Sequence, residues 1–167
     1  QVRRAGDARS AETLDELRRG VVDELKLHAA YAARWGVDLS GVEPIEPCAA
    51  YVAFLRESVA HEAAAAGVAA MVPCMRLYAH LGQSLAAAAR EAGSPTRAGP
   101  YQEWVDTYSA PDFEALAASI EAMLDRLASA GGCGAPLRTL CLELYRRAME
   151  LELGFFEAWS DDCREPK

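Results

Sequence analysis

No two cysteines of this chain stand at C-x-x-C spacing. The five (Cys48, Cys74, Cys133, Cys141 and Cys163) are odd in number and widely scattered, whereas disulfide frameworks and zinc sites call for tighter arithmetic. Neither is expected. Basic residues are unclustered, and 17 Lys and Arg against 25 Asp and Glu leave a net charge of −8. A nucleic-acid groove needs gathered cations to neutralise phosphates, so no nucleic-acid partner is expected. No uninterrupted apolar stretch reaches bilayer length, and no signal-peptide pattern opens the chain. The expectation is a cytoplasmic protein without a membrane partner. Clusters of β-branched residues are rare, and no repeat of fixed period occurs, which argues against sheets and solenoids.

What is present favours helices. Half the chain (51%) is hydrophobic, much of it alanine, the strongest helix former. At 167 residues it fits one domain, large enough to bury about two-thirds of its unfolded surface. Thr13 and Glu16 read as a capping box opening a helix over 13–35 that Gly36 stops. Pro44 and Pro47 bracket a loop. Helical spacing resumes over 48–65 and again up to residue 91, with an interruption at Pro73. Residues 92–100 read as a loop and 101–109 as a short helix. Ser109 is placed to cap the next helix, 130–136 is a connector, and a last helix covers 137–159. The expected architecture is an all-α bundle with antiparallel neighbours.

Two features break this pattern. Proline in a helix interior removes a backbone hydrogen bond and costs about 3 kcal/mol or more. Yet Pro73 stands in an alanine-rich helical run, followed at once by Cys74, with Tyr78 one turn further on the same face. The thiol reads either as a small packing residue, the usual state of a free cysteine, or as a nucleophile, which requires a lowered pKa. The second feature is in the last helix. Tyr145, Met149, Phe156 and Trp159 follow one face, and the gap in that series is filled by Glu152. A carboxylate inside an apolar stripe costs several kcal/mol unless paired, hydrogen-bonded or neutralised. Spacing leaves two readings open: a buried acid suited to proton transfer, or a helix rotated so that Glu152 reaches water. His61 and His80 have no second ligand at metal spacing, and Glu24 with His28 reads as an i,i+4 surface contact.

Five blocks, in order, resemble one family. ELKLHAAYAARWGVDL (24–39) is similar to its E-x-x-L-H helix and following turn. EPCAAYVAFL (46–55) is similar to a segment carrying a pocket tyrosine, here Tyr51. AAMVPCMRLYAHLG (69–82) carries P-C-x-x-x-Y. YQEWVDTYSAPDFEAL (101–116) resembles a Y-x-x-W block headed by Tyr101. MELELGFFEAW (149–159) resembles the terminal glutamate block. Together they resemble the TenA family of aminopyrimidine hydrolases (thiaminase II).

The resemblance implies a haem-oxygenase-like bundle, usually a homo-oligomer (tetramer or dimer), working without a cofactor or metal. It implies Cys74 as nucleophile and Glu152 as catalytic acid and base, with Tyr51, Tyr78, Tyr101 and Phe155 contacting the substrate. That substrate would be 4-amino-5-aminomethyl-2-methylpyrimidine or thiamine. Pro73 would break its helix so that Cys74 faces the central cavity. The family's N-terminal helices, with a Q-D-Y-like segment whose aspartate contacts the pyrimidine, have no match. Residues 1–20 resemble the helix after them, so an N-terminally incomplete domain is expected. Arg76 stands where an apolar or aromatic residue is commoner. Alternative readings are a pyrimidine-binding or regulatory protein without turnover and a non-hydrolytic relative of the same bundle.

Overall fold

The computed structural model describes residues 7–60, 63–93, 99–130 and 134–158; His61, Cys133, Trp159 and Cys163 lie outside them. The described residues form six α-helices and no strand: α1 (Ala8–Arg34), α2 (Glu46–Ala60), α3 (Ala64–Glu91), α4 (Gln102–Ser109), α5 (Pro111–Ala130) and α6 (Ala135–Glu157). A single 3-10 turn, Gly99–Tyr101, leads into α4.

The all-α expectation holds, while several helix ends move for local reasons. The Asp7 carboxylate caps α1 by accepting from the Ser10 backbone N–H at 3.0 Å, so the helix starts before the Thr13–Glu16 pair. Thr13 is an interior residue whose hydroxyl donates back to the Arg9 carbonyl at 3.2 Å, the alternative use of a helical threonine. The other end is as expected, with Gly36 in the left-handed region at φ 69° directly after Trp35. Pro47 falls in the first turn of α2 rather than in a loop, where its missing N–H would be unpaired anyway. Ser109 ends α4 instead of capping α5. Pro111 opens α5, its fixed φ suited to a first helical residue.

The interruption at Pro73 is also corrected. Residues 64–91 form one continuous helix with Pro73 inside it. The cost of the missing hydrogen bond is met by burial: Val72, Pro73, Ala69, Ala70 and Ala79 are all buried. This helix is the hub of the fold, packing against α2, α4, α5 and α6. Its Val68 and Val72 join Leu17 of α1 and Ile120 and Met123 of α5 in the main core cluster. By length and the mean hydropathy of its most apolar window (1.2) α3 also meets, weakly, a criterion for a bilayer span, and half of that window is buried inside the protein, as in a core helix.

Small residues set how closely the helices approach. A Cβ built on Gly82 of α3 would lie 2.4 Å from the Tyr108 carbonyl carbon and 2.7 Å from the Ser109 nitrogen. The backbones of α3 and α4 therefore touch, and any side chain at 82 would force them apart. Arg76, the unusual residue of the P-C block, faces α5. Its guanidinium donates to both oxygens of Glu121 (2.8 and 2.7 Å) and both of Glu114 (2.8 Å each), a forked geometry that a point charge could not match.

Gly82→Ala is expected to destabilise by about 1–3 kcal/mol, the usual range for overpacking a tight contact. Gly154→Ala, whose added Cβ meets nothing within 4 Å, should be neutral or stabilising, since alanine is the better helix former. Chemical denaturation of the two variants side by side checks this; equal stabilities would show that the α3–α4 contact yields freely.

Candidate active site

Five helices bring six polar side chains to the same region. Cys74 and Tyr78 come from adjacent turns of α3, Tyr51 from α2, Glu152 from α6, Tyr108 from α4 and Glu24 from α1. Glu152 is 2% exposed, whereas Cys74, Tyr51 and Tyr78 are half-buried. Of the two readings of the last helix, the buried acid is the one observed, with a shifted phase. The inward face of α6 carries Cys141, Ala148, Leu151 and Glu152. Met149 and Phe156, placed in the seam by spacing, are 36% and 39% exposed at its edge.

The electrostatics of the cluster are dominated by burial and by carboxylates. Burial pushes the Cys74 thiol well above its ordinary value of 9.0; the Glu152 charge and side-chain interaction add to the rise, and the Glu24 charge adds further. Burial does the same to the Tyr51 phenol, reinforced by Cys74 and Glu152, and to Tyr78, reinforced by Cys74, Glu152 and Glu24. Tyr51 and Glu152 interact, yet neither the Tyr51 hydroxyl nor Glu152 Oε1 completes a hydrogen bond of good geometry. Two polar atoms are thus buried side by side without settled partners, a costly arrangement that calls for an explanation.

Aromatic rings frame this cluster. Tyr78 has its ring 5.0 Å from that of Tyr108, 5.9 Å from Trp104 and 6.0 Å from Phe156. Tyr108 is almost wholly buried at 1% exposure, and its hydroxyl donates to Glu24 Oε1. The same Glu24 oxygen lies 3.6 Å from His28 Nε2, so the expected i,i+4 contact is present and has a second, inward partner.

Tyr101 and Phe155 stand apart from the Cys74–Glu152 cluster. Both line an apolar cleft of about 1060 Å³ with Tyr31, Trp35, Leu85 and Trp104. Tyr101 is 61% exposed there, and its ring lies 6.0 Å from that of Trp35. The sequence reading therefore brings four of its six site residues together, and two lie along a neighbouring wall. It missed Tyr108 and Glu24. Both were inside quoted blocks, and the available signal was the second tyrosine of YQEWVDTY, seven residues after the first.

The six helices around a central cysteine–glutamate pair make this a haem-oxygenase-like all-α bundle. The sequence profile of the TENA/THI-4/PQQC family matches residues 2–161, and the chain belongs to that family. It is also 29% identical over 161 residues to the bifunctional TH2 protein, mitochondrial, of Arabidopsis thaliana, across 87% of this chain and 26% of that protein. The chain thus spans about a quarter of that relative's length. No solved structure matches it. Family membership points, at the coarse level, to a thiamin-related function.

A pH prediction follows from the raised thiol and phenols. Their neutral forms are favoured in the fold, so their contribution is complete below the ordinary values, 9.0 for the thiol and 10.0 for the phenols. It is lost as pH rises through those values, because the unfolded chain then ionises while the fold holds the protons. Thermal melts from about pH 8 to 10.5 should show falling stability, less steeply in Cys74→Ser/Tyr51→Phe. An identical slope in parent and double variant would count against the shifts.

Proposed function

We propose that this chain hydrolyses 4-amino-5-aminomethyl-2-methylpyrimidine, and thiamine as a second substrate, releasing the hydroxymethylpyrimidine. The observation that carries the reading is the meeting of Cys74 and Glu152, from α3 and α6, inside a bundle of the TENA/THI-4/PQQC family. The two unpartnered polar atoms of Tyr51 and Glu152 support it, because a pyrimidine offers ring nitrogens and an exocyclic amine to such groups. The aromatic surroundings suit a flat, mostly apolar ligand held by a few placed polar contacts.

Direct displacement at the methylene carbon is slow, and a covalent step divides it into easier ones. The Cys74 sulfur adds to the ring carbon next to the substituted position while its proton passes to Glu152, which protonates a ring nitrogen. The electron pair gained by the ring expels the leaving group from the methylene carbon. Water adds to the exocyclic methylene and gives up a proton. The carbon–sulfur bond then breaks, the ring nitrogen returns its proton through Glu152, and Cys74 is again a thiol. The Cys74 pKa is raised, not lowered as a preformed thiolate nucleophile would need, so this reading requires proton transfer coupled to attack. Glu152 takes the proton as the sulfur bonds, so no free thiolate has to accumulate beside a carboxylate.

The raised thiol also favours a second reading, a protein that binds the pyrimidine without turning it over. Assays with aminomethylpyrimidine and thiamine as separate substrates decide between them: turnover of either supports the hydrolase, and binding without turnover supports the binder. For the hydrolase, Cys74→Ser should abolish turnover with the fold retained, since a hydroxyl is a far weaker nucleophile than sulfur. Glu152→Gln should lower turnover by about 10²–10⁴-fold, the usual span for a lost general acid–base, with binding preserved. Parent-like rates in either variant would remove that residue from the mechanism.

A further inference from the structure

The aminopyrimidine reading assigns one carboxylate to the site, yet the bundle brings a second. Glu24 reaches inward from α1, holds the Tyr108 hydroxyl, and through the Tyr108 ring stands one aromatic layer from Tyr78. It lines a cavity of about 240 Å³ together with Leu17, Leu27, Met75, Tyr108 and Phe113. Met75 is the residue after Cys74, so this cavity adjoins the thiol's own turn of α3.

The charges near Cys74 are one-sided. Glu152 approaches from α6 and Glu24 from α1, and both raise the thiol and Tyr78. The nearest guanidinium on the same stretch of α3, Arg76, is taken up by Glu114 and Glu121 on the α5 side. Of Glu24's own partners, Tyr108 is a neutral donor and His28 stands 3.6 Å away on the outer side. A carboxylate so placed, at the edge of low-dielectric surroundings, attracts a cation more strongly than it would in water.

We propose that Glu24 is a specificity-determining residue that selects substrates carrying a positive charge on the group attached to the methylene carbon. An aminomethyl group is an ammonium near neutral pH and a thiazolium is a permanent cation, whereas the hydroxymethyl product is neutral. The same carboxylate therefore favours the charged substrate over its own product and promotes exchange of one for the other. Glu24 acts on the charge of the leaving group and takes no proton in the reaction. This inference rests on the aminopyrimidine reading, and it adds the charge class of the substrate and a residue that reads it.

The test uses Glu24→Gln, which removes the charge but keeps a carbonyl oxygen for the Tyr108 hydroxyl, and Tyr108→Phe, which removes the hydrogen bond but keeps the charge. Each is combined with Cys74→Ser so that bound ligands are not consumed. Calorimetry then gives the affinities for aminomethylpyrimidine and hydroxymethylpyrimidine at one pH. The preference for the amine is expected to fall about tenfold in Glu24→Gln and to persist in Tyr108→Phe. An unchanged preference in Glu24→Gln overturns this inference alone, and failure of the parent to bind either pyrimidine overturns it together with the aminopyrimidine reading.

A second measurement needs no substrate. With Cys74 present, its rates of modification by 2-aminoethyl methanethiosulfonate, a cation, and methyl methanethiosulfonate, which is neutral, are compared by peptide mapping. Their ratio should fall several-fold in Glu24→Gln. An unchanged ratio shows that the Glu24 charge does not reach the thiol and overturns the inference whatever the substrate.

Discussion

The contact between the backbones of α3 and α4 is the constraint on which the rest of the site depends. It exists because residue 82 has no side chain. Tyr78 stands one helical turn before Gly82, and Tyr108 is the residue whose carbonyl occupies the space a Cβ would need. Touching backbones bring these two rings to 5.0 Å, and Tyr108 in turn fixes Glu24 from a third helix. Dispersion falls steeply with separation, so a gap of even an ångström would loosen every ring in the set. The alanines of α3 extend the principle along the helix, letting α2, α5 and α6 approach the same hub.

Within that frame the polar groups follow a consistent division. Cationic side chains pair with acids on the outside of the bundle: Arg76 with Glu114 and Glu121, Arg34 with Glu103. The interior cluster is left with carboxylates, a thiol and phenols. In such company, and buried as they are, the thiol and the phenols are harder to ionise. A site of this kind is poor at holding anions and good at holding a proton or a cationic ligand.

Much of this was legible in the sequence. Alanine content, helix stops and the spacing of apolar residues were enough for an all-α bundle, and Glu152 announced itself as an acid among apolar neighbours. The errors were local and share a physical origin. The Thr13–Glu16 pair and Ser109 are good caps in isolation, but Asp7 and Pro111 stand where the helices begin. Pro73 breaks helices in water, where no neighbour compensates for the lost hydrogen bond; buried on a central helix, it is carried through. Tyr101 and Tyr108 both belong to the YQEWVDTY block, and which of them turns inward depends on the 3-10 turn that precedes α4 and on the contact at Gly82. Neither is visible from spacing. Glu24 was read as a surface acid because its i,i+4 partner is outside and its other partner lies 84 residues away in the chain.

Arg76 has one more effect, which concerns rotation. Successive residues of an α-helix are turned by about 100°, so Arg76 and Cys74 point about 200° apart. A planar guanidinium gripped by two carboxylates of α5 fixes the azimuth of α3, much as a key fixes a shaft in its hub. With that side clamped to α5, the sulfur is left facing the opposite quarter, where α2 and α6 stand. The fork is thus a setting for the aim of the thiol, held on the far side of the helix from the chemistry it orients.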